Sequence, residues 1–209
     1  MTGGVLYVVS GPSGAGKSTV IKKALDKVEG FTFSVSYTTR EKRPGEIEGE
    51  DYFFISEEEF HELKEQGEFL EYAEVHGYYY GTSKSFIKEK LDEGFNIVLD
   101  VDVQGSLNIK KEMPYDSVLI FVVPPSYKEL QKRLMGRGTE NEKDLKKRLE
   151  DSKWEIQRME EFDYLLENND VPESVNRLIS IIIAEQLKIS RIKDGLEEKV
   201  DKFFKYDFS

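Results

Sequence analysis

Eight residues, Gly11-Pro12-Ser13-Gly14-Ala15-Gly16-Lys17-Ser18, lie between the apolar run Val5 to Val9 and the helix-like stretch Ser18 to Leu25. They satisfy G-x-x-x-x-G-K-[ST] in the context that pattern requires, a strand before and a helix after. Glycines let successive backbone N–H groups turn inward on phosphate oxygens, and the helix N-terminus adds the positive end of its dipole. Lys17 reaches the outer phosphates, Ser18 offers a hydroxyl to Mg²⁺, and Thr19 completes the nucleotide-facing set. A Gly-rich turn without a ligand would have to match four constrained positions by accident, so a bound nucleoside triphosphate is the first expectation.

Such a loop does not say where a phosphoryl group goes, and three further groups of residues bear on that. Arg40 and Arg43 stand three apart in a polar, Pro/Gly-punctuated stretch, with Ser36, Thr38 and Thr39 beside them. Forked guanidinium groups grip phosphate in a bidentate manner, so this reads as a second phosphate site. Arg133 and Arg137 share one face at the end of a helix, and Arg148 follows on the next helix beyond Gly136-Arg137-Gly138-Thr139. They suit a hinged lid that swings cations onto transferring phosphates. From spacing alone a solvated charged face fits these three equally well. Asp100 and Asp102 end the apolar run Phe95 to Leu99. The first carboxylate, Asp100, with Ser18, suits Mg²⁺ carried by the nucleotide; the pattern does not settle which of the two aspartates lies nearer the metal.

The elements that must position these groups follow from hydrophobic periodicity. Val5 to Val9, Phe95 to Leu99 and Ser117 to Val123 read as strands buried on both faces of a parallel sheet. Residues 30–36 alternate as one further strand, and Tyr164 to Glu167 is a weak last one. Helices are expected near 18–25, 83–92, 126–135 and 140–160, from Pro172 onward, in a short helix closed by Leu107 to Lys111, and in an amphipathic tail over 196–208. Between 51 and 82 the texture changes to short aromatic strands, Tyr52 to Ile55 and Phe69 to Val75, around an acidic helix near 57–66 and a turn at His76-Gly77. The fold class implied is α/β, a parallel sheet with helices on both faces plus a small antiparallel insert, with ligands at the carboxyl ends of the strands.

Composition bounds the partners. The 209 residues carry 30 Lys and Arg against 41 Asp and Glu, a net charge of −11. That excess argues against a general nucleic-acid or anionic-membrane surface, so phosphate binding has to come from local clusters of Lys and Arg. There is no cysteine, which removes thiol catalysis and disulfides. No run approaches membrane-spanning length and no secretory leader is read, so a cytoplasmic protein is expected. His61 and His76 are not clustered for metal, and Trp154 is expected in helix packing.

Taken in order, Ser34-Val35-Ser36-Tyr37-Thr38-Thr39-Arg40 with Arg43-Pro44-Gly45-Glu46, Asp51-Tyr52-Phe53-Phe54, Phe69-Leu70-Glu71, Tyr79-Tyr80-Gly81-Thr82, Leu99 to Gly105 and Arg133-Leu134-Met135-Gly136-Arg137-Gly138 resemble the guanylate kinase family, from about Gly4 to about Ile183. Two departures are Lys42, where the family often has proline, and Asn168-Asn169-Asp170, where it more usually reads Asn-Asp-Asp. The resemblance implies transfer of the γ-phosphoryl group of Mg·ATP to GMP. By that similarity Ser36, Glu71, Thr82 and Asp102 face guanine, with Asp100 beside them; Arg40, Arg43, Tyr52 and Tyr80 hold the GMP phosphate; and Asn168 contacts the adenine nucleotide. Lys17, Arg40, Arg43, Arg133, Arg137 and Arg148 would carry catalysis. The implied organisation is a core of residues 1–34, 91–125 and 157–209, a GMP-binding insert over 35–90 and a lid over 126–156.

Guanine presents N1–H and its 2-amino group as adjacent donors, which a carboxylate such as Glu71 can accept together, whereas adenine would leave it unpaired. Without the family, Glu71 reads only as an outward residue on an alternating strand, and Tyr78-Tyr79-Tyr80 as packing. The alternative reading is a non-catalytic guanylate-kinase-like module that binds a peptide; the complete loop and the lid arginines favour the enzyme. A GTPase switch lacks its N-K-x-D motif, since Asn141-Glu142-Lys143-Asp144 does not match. Monomer and homodimer remain equally open.

Overall fold

A computed structural model describes residues 4–75, 77–135, 142–191 and 196–205. The central sheet holds β1 (Leu6–Ser10), β2 (Phe31–Phe33), β7 (Asn96–Asp100), β8 (Ser117–Val123) and β9 (Tyr164–Glu167), in the order β2-β7-β1-β8-β9 and parallel throughout. Every residue of β1 is buried, as expected of a strand covered on both faces.

Period-two alternation divides the β1 side chains between two cores. Val5, Tyr7 and Val9 pack with Val20, Ile21 and Ala24 of α1 (Lys17–Leu25) and with Val175, Leu178 and Ile182 of α7 (Val171–Gln186). Leu6 and Val8 face the other way, toward Ile87 and Leu91 of α3 (Lys84–Asp92) and Ile109 of α4 (Val103–Glu112). Fully burying a Leu or Ile stabilises by about 1.5–3 kcal/mol, so each face is fixed by several such residues and strand register with them.

A second sheet of order β4-β3-β6-β5 is built from β3 (Ser36–Thr38), β4 (Tyr52–Phe54), β5 (Phe69–Val75) and β6 (Tyr78–Ser83). Two of its pairings are antiparallel, and β3 with β4 is parallel. The segment read from its alternation as one strand, 30–36, is two: β2 ends at Phe33 in the central sheet and β3 starts at Ser36 in the second. Tyr37 and Thr38, just before the polar, Pro/Gly-punctuated stretch of Arg40 and Arg43, are strand residues rather than part of a loop. Alternation is the same in both sheets and cannot mark a change of sheet. Helix α2 (Glu57–Glu65) starts at Ser56 with a reciprocal capping box to Glu59, and its Phe60 stacks on Phe69 and Tyr79, tying it to the second sheet.

Helix α4 ends at Glu112, just past the Leu107 to Lys111 stretch expected to close it, and starts at its Asp102 cap with Val103, Gly105 and Ser106 buried. Helices α5 (Tyr127–Met135) and α6 (Glu142–Ile156) follow; the Gly136 to Thr139 break, Arg137 and Asn141 lie outside the described residues, as does His76. Trp154 does not pack inward: it is 40% exposed, with the Arg158 guanidinium 3.9 Å from its ring centroid. At the far end α8 (Leu196–Phe204) exposes Val200, Phe203 and Phe204.

Candidate active site

Strand β1 delivers the chain straight into the phosphate loop. Gly11 has φ 131° and passes so near β8 that a Cβ would stand 2.0 Å from the Val122 carbonyl oxygen. No side chain fits there, so the first glycine is fixed by a backbone approach as well as by its φ. Gly16 (φ 90°) is the N-cap of α1 and has no side chain to occupy the first-turn N–H groups. By contrast α2, α3, α4 and α7 are capped by Ser56, Ser83, Asp102 and Asp170. That leaves α1's first-turn donors without a side-chain cap, the arrangement that suits an anion.

The lysine is already placed. Lys17 Nζ donates to the Gly11 carbonyl at 2.6 Å and lies 4.0 Å from Asp100 Oδ1, while Ser18 Oγ donates to Asp100 Oδ2 at 3.0 Å. Asp100 is brought there because β7 runs beside β1 with Val9 registered against it. It stays open to the cavity but is crowded elsewhere, and that loss of solvent raises its pKa above the ordinary carboxylate value, with Lys17 and Ser18 opposing. Of the two aspartates, this is the one in contact with Lys17 and Ser18. Ser18 and Asp100 make a pair of hard oxygen donors, which fits Mg²⁺ arriving on a nucleotide; among the described residues no three acidic or imidazole side chains cluster into a cage of their own.

A cavity of about 390 Å³ is walled by Gly11 to Thr19 except Ala15, by Asp100, Val101 and Asp102, and by Glu155 from α6. Its neighbour, about 340 Å³, is lined by Ser34, Ser36, Tyr52, Glu50, Asp51 and residues 98–101. Asp100 and Val101 belong to both, so the two cavities meet at the end of β7.

On the second sheet the expected residues converge. Thr82 Oγ1 donates to Glu71 Oε1 at 2.6 Å across the β5–β6 pair, and Tyr37 opposite Gly81 places Ser36 next along β3 beside Thr82. Glu71 also meets the start of α4, where a Cβ on Gly105 would come 3.1 Å from Glu71 Oε2 and 3.4 Å from Asp102 Oδ1. Burial pushes the Glu71 carboxyl up to about 6, Thr82 opposing and Asp102 adding to it. Asp102 also accepts from Gly105 N at 2.7 Å as the α4 cap.

Arg40 is 8% exposed and clasped in a fork by Glu46, at 2.7 and 3.1 Å. Its guanidinium lies 5.5 Å from the Tyr52 ring centroid and 5.7 Å from that of Phe54, and Tyr80 packs edge-on to Tyr52. The Arg43 backbone N–H donates to the same Glu46 carboxylate at 2.7 Å. Glu46 thus holds the Arg40 guanidinium and the Arg43 backbone together, and Arg40 Nη1 also donates to the Glu41 carbonyl at 2.6 Å. Its carboxyl is held below the ordinary range, chiefly by Arg40.

Two cationic side chains from α5 and α6 reach the phosphate loop. Arg133 donates to the carbonyls of Ala15 (3.4 Å) and Asn168 (3.0 Å) and to Glu129, and Arg148 to Ser13 Oγ at 3.2 Å. Asn168 is buried with its amide spent on the Ala15 carbonyl (2.7 Å) and on Ser174 (3.0 Å). It braces the loop from beneath. Motif spacing did not single out Glu155 or Ser34, whose buried hydroxyl is without a partner among the described residues; only contact across the fold reveals them.

Residues 4–185 match the family described as guanylate kinase. The chain belongs to the guanylate kinase family. A guanylate kinase of Thermotoga maritima is 50% identical over 194 residues, 93% of each chain, and one of Streptococcus thermophilus is 47% identical over 190 residues, 90% of each. The crystal structure of guanylate kinase from Anaplasma phagocytophilum superposes with a TM-score of 0.75 at 36% identity, covering 96% of this chain and 95% of that one. The parallel sheet with its phosphate loop and second sheet is the guanylate kinase fold, and these relatives favour the catalytic reading over the peptide-binding module.

Proposed function

We propose that this member of the guanylate kinase family transfers the γ-phosphoryl group of Mg·ATP to GMP, giving ADP and GDP, in the cytoplasm. The observation that carries this reading is the junction of the two cavities at Asp100 and Val101, one walled by the phosphate loop and the other by Ser36 and Tyr52. In line at that junction, a GMP phosphate oxygen bonds to the γ-phosphorus as the bond to the β–γ bridging oxygen breaks and ADP leaves. A phosphate nucleophile is already anionic, so no general base is required.

Catalysis then rests on positioning and charge. The first-turn N–H groups of α1 and Lys17 hold the donor phosphates; Arg40 and Arg43, with Tyr52 and Tyr80, hold the acceptor phosphate, Glu46 orienting Arg40. Glu71, supported by Thr82, Ser36 and Asp102, accepts the guanine N1–H and amino donors. Mg²⁺ would be held by Ser18 and Asp100 and would neutralise charge on the triphosphate. Closure of the 35–90 insert and the 126–156 lid, bringing Arg133, Arg137 and Arg148 to the transferring group, would exclude water. Asn168 serves the donor site by bracing the loop.

Coupled detection of ADP with ATP plus GMP, AMP, UMP or dTMP tests this. Turnover should depend on GMP; its absence would overturn the reading, and a preference for AMP would overturn the role of Glu71.

A further inference from the structure

Glu155 is an acidic residue in a phosphate pocket. It projects from α6 into the cavity formed by the phosphate loop. Its backbone carbonyl accepts from the Arg158 N–H at 3.0 Å, while its carboxylate lines the cavity. The residues lining that cavity supply one ammonium, Lys17, against three carboxylates, Asp100, Asp102 and Glu155, and the guanidinium groups of Arg148 and Arg133 reach the loop from outside the lining, at Ser13 and Ala15. Ser18 and Lys17 engage Asp100, and the α4 cap engages Asp102. Glu155 is left facing the space that polyphosphate would fill.

A carboxylate in that place opposes a bare polyphosphate by Coulomb repulsion, and the low polarity of a partly closed cleft magnifies the effect. It costs far less when the polyphosphate carries a divalent cation, which cancels charge and accepts oxygen ligands directly or through its waters. We propose that Glu155 makes the donor pocket discriminate between cation-bound and free nucleoside triphosphate, excluding the free form. This rests on the reading of the Gly11 to Thr19 pocket as the ATP site. Burial lifts the Glu155 carboxyl to about 6, with Lys17 opposing and Asp102 and Asp151 adding to it, so at pH 7.5 the charge is present.

Isothermal titration of the full chain with ATP, once in excess Mg²⁺ and once in EDTA, reads this without any turnover. Glu155→Gln should tighten binding of ATP in EDTA by about tenfold, the loss of one close like-charge pair, and change binding in Mg²⁺ by less than threefold. The ratio of the two dissociation constants therefore contracts. Asp151→Asn removes a charge from the same helix at a position outside the cavity lining and should leave the ratio where it was. Glu155→Ala, checked for folding by circular dichroism, repeats the measurement should the amide variant misfold. A ratio unchanged in folded Glu155 variants, or contracted equally by Asp151→Asn, overturns the proposal. Wild-type turnover with GMP is measured separately, so a failure of the kinase reading and a failure of Glu155 are distinguishable.

Discussion

The donor and acceptor halves of the site solve the same problem, holding a phosphate in an acidic protein, by different means. Around Gly11 to Ser18 the work is done by backbone: a helix left uncapped at Gly16, a glycine pressed against Val122, and a lysine folded onto the loop. Around Arg40 it is done by side chains from four short strands and a loop, each satisfied by another: Arg40 by Glu46, Glu71 by Thr82, Asp102 by its own helix. The backbone half is preorganised and needs only its ligand. In the side-chain half, protein partners orient the groups, and the sites left on the Glu71 carboxylate and the Arg40 guanidinium stay available to a ligand. Backbone recognition fixes phosphate but cannot read a base, whereas side-chain recognition can do both.

The comparison is broken most forcefully at Lys17. Lys17→Met removes the one ammonium of the donor cavity, and loss of one charged transition-state stabiliser lowers kcat by about 10²–10³; GMP binding measured by calorimetry should be unchanged. A parallel loss of GMP affinity would mean that the halves are not separate. Glu71→Gln should do the reverse. The amide turns one acceptor into a donor facing the guanine donors, and kcat/KM for GMP should fall by roughly 10²–10³, with the dissociation constant of Mg·ATP within twofold of wild type. If both substrates weaken together, Glu71 is a strut between β5 and α4.

The same contrast explains what was legible in the residues. The three middle strands of the central sheet, β7, β1 and β8, were readable because strands buried on both faces are continuous apolar runs, and the phosphate loop because backbone recognition demands particular glycines. The β2–β3 change of sheet was not, since alternation persists through Phe33 to Ser36. Glu71 on its strand pattern alone pointed to solvent, because period two says nothing of α4 crossing that face; the family resemblance, not the pattern, singled it out. Asn168 stood out by the same resemblance as a nucleotide contact, and its bonds to Ala15 and Ser174 depend on β9 lying beside β8. Glu155 stood in a charged helix among many charges, and only the fold turns it to the cavity.

Asn168 sharpens the contrast from beneath the loop. Asn168→Ala leaves the buried Ala15 carbonyl and Ser174 hydroxyl without that partner, at a cost of about 2 kcal/mol. For a chain of this size thermal unfolding should move down by roughly 4–8 °C. Mg·ATP affinity should fall severalfold while GMP affinity holds. A stable variant with normal ATP binding would show that the loop needs no brace.

The smallest effect expected is in pH dependence, and it belongs to the acceptor half. Glu71 titrates at about 6 in the folded protein, above the ordinary carboxylate value, because burial disfavours its charge. Guanine needs the ionised form, so the KM for GMP should rise about tenfold between pH 7 and pH 5 from this group, where roughly nine in ten of these carboxyls are protonated. The GMP phosphate titrates in the same range and adds its own loss, so the contribution of Glu71 is the difference between the wild-type profile and that of Glu71→Gln, whose KM keeps only the phosphate term. Stability runs the other way. A carboxyl with a raised folded pKa favours the folded state below its unfolded value, and that contribution disappears as pH rises through 6. Glu71 therefore cannot unfold the protein at pH 5 while it weakens GMP binding there, and a thermal melt at each pH separates the two. Profiles of wild type and Glu71→Gln that run parallel from pH 7 to 5 would place the titrating group on the nucleotide alone.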